Sequence, residues 1–413
     1  MPLTNTTRSL ATNLIAYGAS EVAAKASRLL VVIAVARTLD LTQIGIAASA
    51  MAAGDILKAL TENGVGQRII AASDEALEAT CATARRIFWV WCFGLFAFQA
   101  LVAGALFLSG GSELLAFLIL LMGFEYLFMP AGLVQVALAM RAGKLRQTAA
   151  IGGAQVVGAN IFSILLVMLY PSAIALILPR VLSAPIWLFA VRRVHPWTPK
   201  ASVAPAPLRP FIDYGWAVLG IEIVKVLRLQ GDKIVVGMTM GPQALGLYFM
   251  AFNAGLSLSN AFATAFSTVL FPHLSQSSDP AAAMRQSILV GLALIAPVVI
   301  LQSAFAPIYV PLLLGEGWEE VAPLVSILCL VAIPTTLWAT AAGWLRVQGT
   351  PQIELWMTAA LAVAVLASTA LLEPYGLYAM AVGYLVMTGG LMTLGTFKTL
   401  SAVLFSLNPQ VQS

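Results

Sequence analysis

Apolar runs of about 20 residues recur from one end of this 413-residue chain to the other, each closed by charge, glycine or proline. A run of that length is what an α-helix needs to cross the roughly 30 Å hydrocarbon core of a bilayer. Inside hydrocarbon the backbone must satisfy its own hydrogen bonds, and a continuous apolar run does so as a helix. Composition agrees: 60% of the residues are hydrophobic and only 10% charged, with a mean hydropathy of +0.91. A soluble domain carries about a quarter charged residues, and a soluble fold of this size could not bury so much apolar side chain. The chain therefore reads as an all-α polytopic membrane protein. Soluble dehydrogenases, kinases, hydrolases and DNA-binding modules are excluded.

Twelve transmembrane helices are predicted: Leu10–Ala36, Gln43–Leu60, Ile87–Leu108, Glu113–Met140, Thr148–Tyr170 and Ser172–Val191, then Phe211–Met238, Gln243–Leu270, Arg285–Leu314, Val321–Val347, Gln352–Leu372 and Tyr375–Phe405. The first ten residues, with Arg8 as the one charge, lack the pattern of a secretory signal, so the first apolar run is expected to remain as a span. Cys81, Cys92 and Cys329 show no paired spacing, which indicates neither a disulfide framework nor a metal site. With the N-terminus inside, Arg8, Arg68, Arg85, Arg86, Arg141, Lys144, Arg146, Arg192, Arg193, Lys200, Arg209, Arg285, Arg346 and Lys398 fall on the inner side, whereas Arg37 alone falls outside. Basic loops stay cytoplasmic, so both termini are expected in the cytoplasm of a cell with this protein in its plasma membrane.

A segment holding Pro196, Pro199, Pro205, Pro207 and Pro210 divides the chain into six helices and six. It reads as a stiff, extended linker over 195–210 between halves 1–194 and 211–413. The halves echo one another. Tyr17-Gly18 matches Tyr214-Gly215, the external turn around Gly45 matches that around Gly246, and Gly143 matches Gly349, all offset by about 200. Six helices separate the copies, so both keep one orientation. The expectation is two parallel six-helix repeats around a central cationic cavity.

Charge inside the spans is the main functional signal. Lys25, Arg28, Lys58, Arg180, Lys225, Arg228 and Lys233 fall within predicted spans, as do Glu21, Asp55, Glu125, Glu222 and Asp232. Each ionised group near the bilayer centre costs at least ~2.5–3.5 kcal/mol facing lipid, so these must face protein or water. Glu21, Lys25 and Arg28 form one helical stripe, and Glu222, Lys225, Arg228 and Asp232 another, on corresponding helices of the two halves. Asp55 and Lys58 are spaced for a third pair, and all these pairs can also be read as intrahelical ion pairs serving packing alone. Arg180 and Lys58 can be read as snorkelling toward an interface. Seven cations against five anions leave a surplus of two, for which Arg28 and Arg228 are the natural candidates. Arginine grips phosphate bidentately, so the pattern predicts an anion site. No cofactor is indicated, and Glu21, Asp55 and Asp232 are alternatively carriers of H⁺ or Na⁺ as coupling ion.

Other signals are secondary. Asp74–Arg86 reads either as an amphipathic helix on the inner leaflet or as a solvated loop. Trp89, Trp187, Trp197 and Trp318 read as interfacial anchors, and Pro130, Pro179, Pro297 and Pro334 as kinks.

Several segments carry a family resemblance. They are Gly231-Asp232-Lys233-Ile234-Val235-Val236-Gly237, Leu245-Gly246-Leu247-Tyr248, Phe271-Pro272-His273-Leu274-Ser275, Leu312-Leu313-Leu314-Gly315-Glu316-Gly317-Trp318 with Ala322-Pro323-Leu324, and Asn63-Gly64-Val65-Gly66-Gln67. Together they resemble the Wzx-type flippases of the multidrug/oligosaccharidyl-lipid/polysaccharide (MOP) exporter superfamily, motifs that lipid II flippases share. The resemblance implies a transporter, not an enzyme. It would move undecaprenyl-diphosphate-linked oligosaccharide across the inner membrane for O-antigen, capsule or exopolysaccharide synthesis, by alternating access, alongside the polymerase and export proteins of its pathway. On that reading Lys25, Arg28, Lys58, Lys225, Arg228 and Lys233 contact the diphosphate or glycan, and Glu21, Asp55, Glu125, Glu222 and Asp232 balance charge or bind the coupling ion. The alternatives are a lipid II-type flippase and a drug/cation antiporter of the same superfamily, against which the cation surplus argues.

Overall fold

The computed structural model describes residues 23–404 apart from 25, 62, 201, 277–279 and 349. Glu21, Lys25, Tyr17-Gly18 and Gly349 therefore lie outside the described residues, as does most of the first predicted span.

Every regular element among the described residues is helical. Residues 26–38 form α1, followed by α2 (Leu41–Ala59), α3 (Val65–Ala71), α4 (Leu77–Leu108), α5 (Glu113–Gly123), α6 (Glu125–Phe128), α7 (Pro130–Arg141), α8 (Leu145–Leu169) and α9 (Ala173–Val194). Then come α10 (Arg209–Thr239), α11 (Gly241–Gln276), α12 (Pro280–Leu314), α13 (Val321–Leu328), α14 (Ala332–Val347), α15 (Pro351–Leu372) and α16 (Gly376–Leu404).

The repeat is visible in these boundaries. The starts of α2 and α11 (41 and 241), α4 and α12 (77 and 280), α7 and α14 (130 and 332), α8 and α15 (145 and 351), and α9 and α16 (173 and 376) are all offset by a little over 200 or by 200 itself. Both halves also break their fourth span. In the first, Pro130 lacks an N–H and crowds the preceding turn, and the chain bends by 53° between Glu113–Phe128 and Pro130–Arg141. In the second, a 3₁₀ turn at Cys329–Val331 separates α13 from α14, ending three residues before Pro334. The matched glycines around Gly45 and Gly246 are not turns, as predicted, but buried positions in the opening turns of α2 and α11.

Six described stretches are long and apolar enough to cross a membrane, or seven if the bent pair counts as one span. The predicted twelve is larger: α2 and α10 are outside the six because they carry charge inside the run, which lowers their hydropathy, and most of the first predicted span lies outside the described residues. One of the six, Gln352–Ser401, contains both α15 and α16. These two helices pack on each other across the Glu373–Tyr375 turn, and so make two passes.

Asp74–Arg86 is neither a surface helix nor a loop beyond its first turn. Leu77–Arg86 opens α4, which continues unbroken to Leu108 with no proline in it and with Gly94 and Gly104 accommodated inside. Its 32 residues rise about 48 Å, more than the hydrocarbon core requires, so the basic end of α4 projects beyond it.

Contacts divide the chain into two compact units, Met1–Val226 and Leu227–Ser413. In the first, Ala47 and Ala50 of α2, Leu118, Ile119 and Met122 of α5, and Ile177 and Val181 of α9 share one core. The Gln43 side-chain oxygen accepts the Ala173 N–H at 3.0 Å and pins the start of α9 to α2. In the second, Leu270, Met284, Trp338, Leu345, Val365 and Leu400 knit α11, α12, α14, α15 and α16 together.

The Pro-rich segment after α9 is non-helical as far as Leu208, with Pro196, Pro199, Pro205 and Pro207 in it, whereas Pro210 sits in the first turn of α10, where its missing N–H costs nothing. The segment is not a free spacer. Thr83 donates to the Ala206 carbonyl at 2.8 Å, the Ala206 N–H donates to Ala79 at 3.1 Å, and Gln135 donates to the Trp197 carbonyl at 3.3 Å. The segment is laid down along α4 and α7.

Close packing of α2 on α5 uses Gly54, where an added Cβ would collide with the end of the Met122 side chain, its Sδ at 2.8 Å. The obstructing atom is the end of a flexible side chain, so Gly54→Ala should be absorbed by a rotation of Met122. Gly54→Leu should cost about 1–3 kcal/mol by overpacking, read as a lowered melting temperature of the purified protein.

Candidate functional site

Local sequence explains how α2, α6 and α9 come to present charge to one another. Pro130 ends the helix that begins at Glu125, so α6 is a single turn with Glu125 at its head. Glu125 is only 5% exposed. The Tyr126 hydroxyl donates to the Gly54 carbonyl at 3.4 Å and fixes this turn against α2.

Four charges meet there. Lys58 of α2 pairs with Glu125 of α6. Arg180 of α9 pairs through Nη2 with Asp55 Oδ1 at 2.6 Å, and its Nε lies 3.8 Å from Glu125 Oε2. Asp55 and Lys58 thus look to other helices rather than to each other, which corrects the expectation of an intrahelical pair. The reason is reach: a third helix supplies a guanidinium, and α6 a carboxylate, closer than the i, i+3 geometry provides. Arg180 is likewise no interfacial residue. It bridges both carboxylates. The sequence marks it as a charge inside a span but not its partners: on α9 it is a lone cation between Pro179 and apolar neighbours, with no carboxylate at helical spacing.

Arg28 lies within electrostatic reach of Asp55 and Arg180. It is exposed on α1, which is tied to α8 by Asn160 donating to Ser27 Oγ at 2.8 Å. Arg28, Lys58 and Arg180 face Asp55 and Glu125, three cations against two anions among the described residues. Arg28 is the one of these three cations outside the recorded ion pairs.

On α10, Lys225 pairs with Glu222 at 2.7 Å, the i, i+3 contact its spacing allows. Asp232, 1% exposed, accepts from the Tyr248 hydroxyl at 2.9 Å and the Lys233 N–H at 2.9 Å, with Lys233 Nζ at 3.3 Å. The same ammonium donates to the Leu229 carbonyl and lies 5.0 Å from the Phe252 ring centre. A buried carboxylate with its own ammonium and hydroxyl is a self-satisfied unit. Lys233 is therefore engaged with Asp232 rather than free for an incoming anion.

Arg228 is differently placed. It lines a cavity of about 180 Å³ in the second unit, with Thr335, Trp338, Arg346, Glu354 and Met392. Arg346 and Glu354 close a two-pronged ion pair at 2.8 and 2.5 Å. The Nε of Arg228 is buried with no partner. One guanidinium in this cavity is balanced and one is not.

No group of His, Cys, Asp and Glu suited to a metal ion occurs among the described residues. The pKa of His195, which caps α9, is pushed below its ordinary value by burial and then by Lys144.

The profile of a family described as "Polysaccharide biosynthesis protein" matches residues 34–323. No curated protein sequence matches the chain. Among solved structures, the lipid II flippase MurJ in an inward closed conformation is similar with a TM-score of 0.79 and 12% identity, over 94% of this chain and 87% of that one. An inward-facing multidrug resistance MATE family transporter of the MOP superfamily gives 0.66 and 14%, over 96% of each chain. A MOP superfamily transporter from Pyrococcus furiosus, described as having a reversed polarity of its binding pocket, gives 0.61 and 12%, over 95% of this chain and 96% of its own. The fold is thus that of these multi-pass membrane transporters, with its two repeats.

Proposed function

Since the chain belongs to the polysaccharide biosynthesis protein family and has the fold of MOP superfamily transporters, we propose that it is a flippase for polyprenyl-diphosphate-linked oligosaccharide. It takes this lipid from the cytoplasmic to the outer leaflet of a bacterial inner membrane, by alternating access and with both termini in the cytoplasm. The glycan would be a repeat unit of O-antigen, capsule or exopolysaccharide.

The observation that carries the reading is a guanidinium outside any recorded ion pair in each unit: Arg28 beside the Asp55–Arg180 pair, and Arg228 with its buried, unpartnered Nε. A diphosphate supplies two adjacent anionic groups, and guanidinium binds such oxygens in charge-assisted pairs. A transporter of cationic drugs needs the opposite polarity or an aromatic cage, which makes the antiporter reading weaker. Lys58 and Arg180 hold the site's shape through Glu125 and Asp55, and Asp232 with Lys233 and Tyr248 is available as a proton-linked element.

The test is leaflet exposure of a polyprenyl-diphosphate oligosaccharide in proteoliposomes. Protein-dependent transfer is expected. Efflux of a cationic dye without lipid transfer would overturn the reading in favour of the antiporter.

A further inference from the structure

A second cationic cavity, separate from the charge clusters above, occupies the first unit on the side where the basic loops gather. It encloses about 290 Å³ and is lined by Arg85 and Trp89 of α4, Ala131 and Gln135 of α7, Arg192 of α9, and Trp197 of the Pro-rich segment. Arg192 sits twelve residues along α9 from Arg180, about 18 Å of helix rise, so the cavity is not an extension of the Asp55–Glu125 cluster.

Its chemistry is one-sided. Arg192 donates Nε–H to the Ala131 carbonyl at 3.1 Å, which restrains the guanidinium and leaves its two Nη groups outside that bond. Arg85 has no ion-pair partner among the described residues. No carboxylate lines the cavity. The nearby Glu78 is already engaged by Trp197 Nε1 at 3.4 Å and by Lys200 at 3.4 Å. The wall is built rather than incidental, since the bonds from Gln135 to Trp197 and from Thr83 to Ala206 hold the Pro-rich segment in place as its rim.

The geometry points to a lipid headgroup site: the phosphate of a membrane lipid bound between Arg85 and Arg192, with Trp89 and Trp197 at the boundary between headgroup and acyl chains. Two unbalanced guanidiniums suit a phosphate. Tryptophan concentrates at the level of the headgroups, and basic pockets between transmembrane helices bind anionic headgroups. The space is far larger than the roughly 30 Å³ of one water. None of this depends on the flippase reading.

The test is lipid retention by the purified full-length protein, using native mass spectrometry with phosphatidylglycerol and phosphatidylcholine. Wild type should retain phosphatidylglycerol preferentially, and Arg85→Ala/Arg192→Ala should reduce that preference at least tenfold. The control is Arg86→Ala/Arg193→Ala, which removes the same charge from exposed neighbours outside the cavity and should leave the preference intact. Arg85→Ala alone removes no recorded intramolecular bond, and should still lower the preference several-fold in a protein of unchanged melting temperature. Equal loss in the two double variants, or no loss in Arg85→Ala/Arg192→Ala, would overturn the site. Polyprenyl diphosphate added as competitor identifies the source of the phosphate: displacement makes the cavity a station for the diphosphate lipid, and retention makes it a glycerophospholipid site.

Discussion

Replacing Arg28 with glutamate should abolish transfer of the diphosphate lipid while leaving the amount of protein in the membrane unchanged. Arg28 is exposed on α1 and stands outside the recorded ion pairs, so the fold has little to lose with it. Its charge, by contrast, is the one that Asp55 and Glu125 do not offset within this cluster. A hydrogen bond to a charged group is worth about 1.5–3 kcal/mol. Arg28→Ala should therefore weaken substrate binding on the order of 10- to 100-fold. Glutamate goes further, because it turns a three-to-two cation excess into a deficit and repels the diphosphate. Arg28→Lys keeps the charge but not the fork, and should retain part of the activity. The measurement is transfer in proteoliposomes at matched protein density. Wild-type transfer by Arg28→Glu would remove Arg28 from the binding site and return the surplus charge to a packing role.

Arg180→Ala should behave in the opposite way, with loss of the protein before loss of any particular step. Arg180 bridges Asp55 at 2.6 Å and Glu125 at 3.8 Å, and its removal strands one carboxylate and weakens the hold on the other. Breaking a fully buried pair by removing one partner costs about 3–5 kcal/mol. Asp55 and Arg180 are half-buried, each side chain 28% exposed, so the cost here should be smaller, about 1–3 kcal/mol. A drop in melting temperature and in membrane abundance is expected. Removing both partners, as Arg180→Ala/Asp55→Ala, should recover much of that loss, since no stranded carboxylate remains at Asp55. If the double variant is no more stable than Arg180→Ala, the pair is not what holds α9 to α2. The contrast between Arg28 and Arg180, two arginines in one electrostatic neighbourhood, separates binding from scaffolding.

The helical membrane architecture and the repeat could be read without coordinates because hydropathy and offset are properties of runs. Each residue adds to them independently of what it touches. The Glu222–Lys225 pair was readable for a similar reason, since both partners lie on one helix and the backbone alone sets their spacing. Asp55 and Lys58 have that same spacing and a different outcome. Their partners Arg180 and Glu125 are 125 and 67 positions away, and only the packing of α2, α6 and α9 brings them within reach. The long α4 was cut short for another reason: a charged, amphipathic opening resembles a separate element until it is seen to continue without a break.

The Pro-rich segment makes the division plainest. Pro196, Pro199, Pro205 and Pro207, closely spaced between α9 and α10, remove backbone donors and disfavour a helix there, and to that extent the chain's own chemistry is decisive. That the segment lies on α4 and α7, fastened through Thr83, Ala79 and Gln135, and so rims a cavity with Arg85 and Arg192, follows from contacts between residues more than a hundred or some sixty positions apart. What is local in the chain, namely apolar run length, backbone prohibition and the sign of the charge in each span, is fixed by the residues one by one. Which cation meets which anion, and which is left over to bind a ligand, is fixed by distance across helices, because ionic and hydrogen-bonding energies fall away within a few ångströms and no one-dimensional pattern encodes that separation.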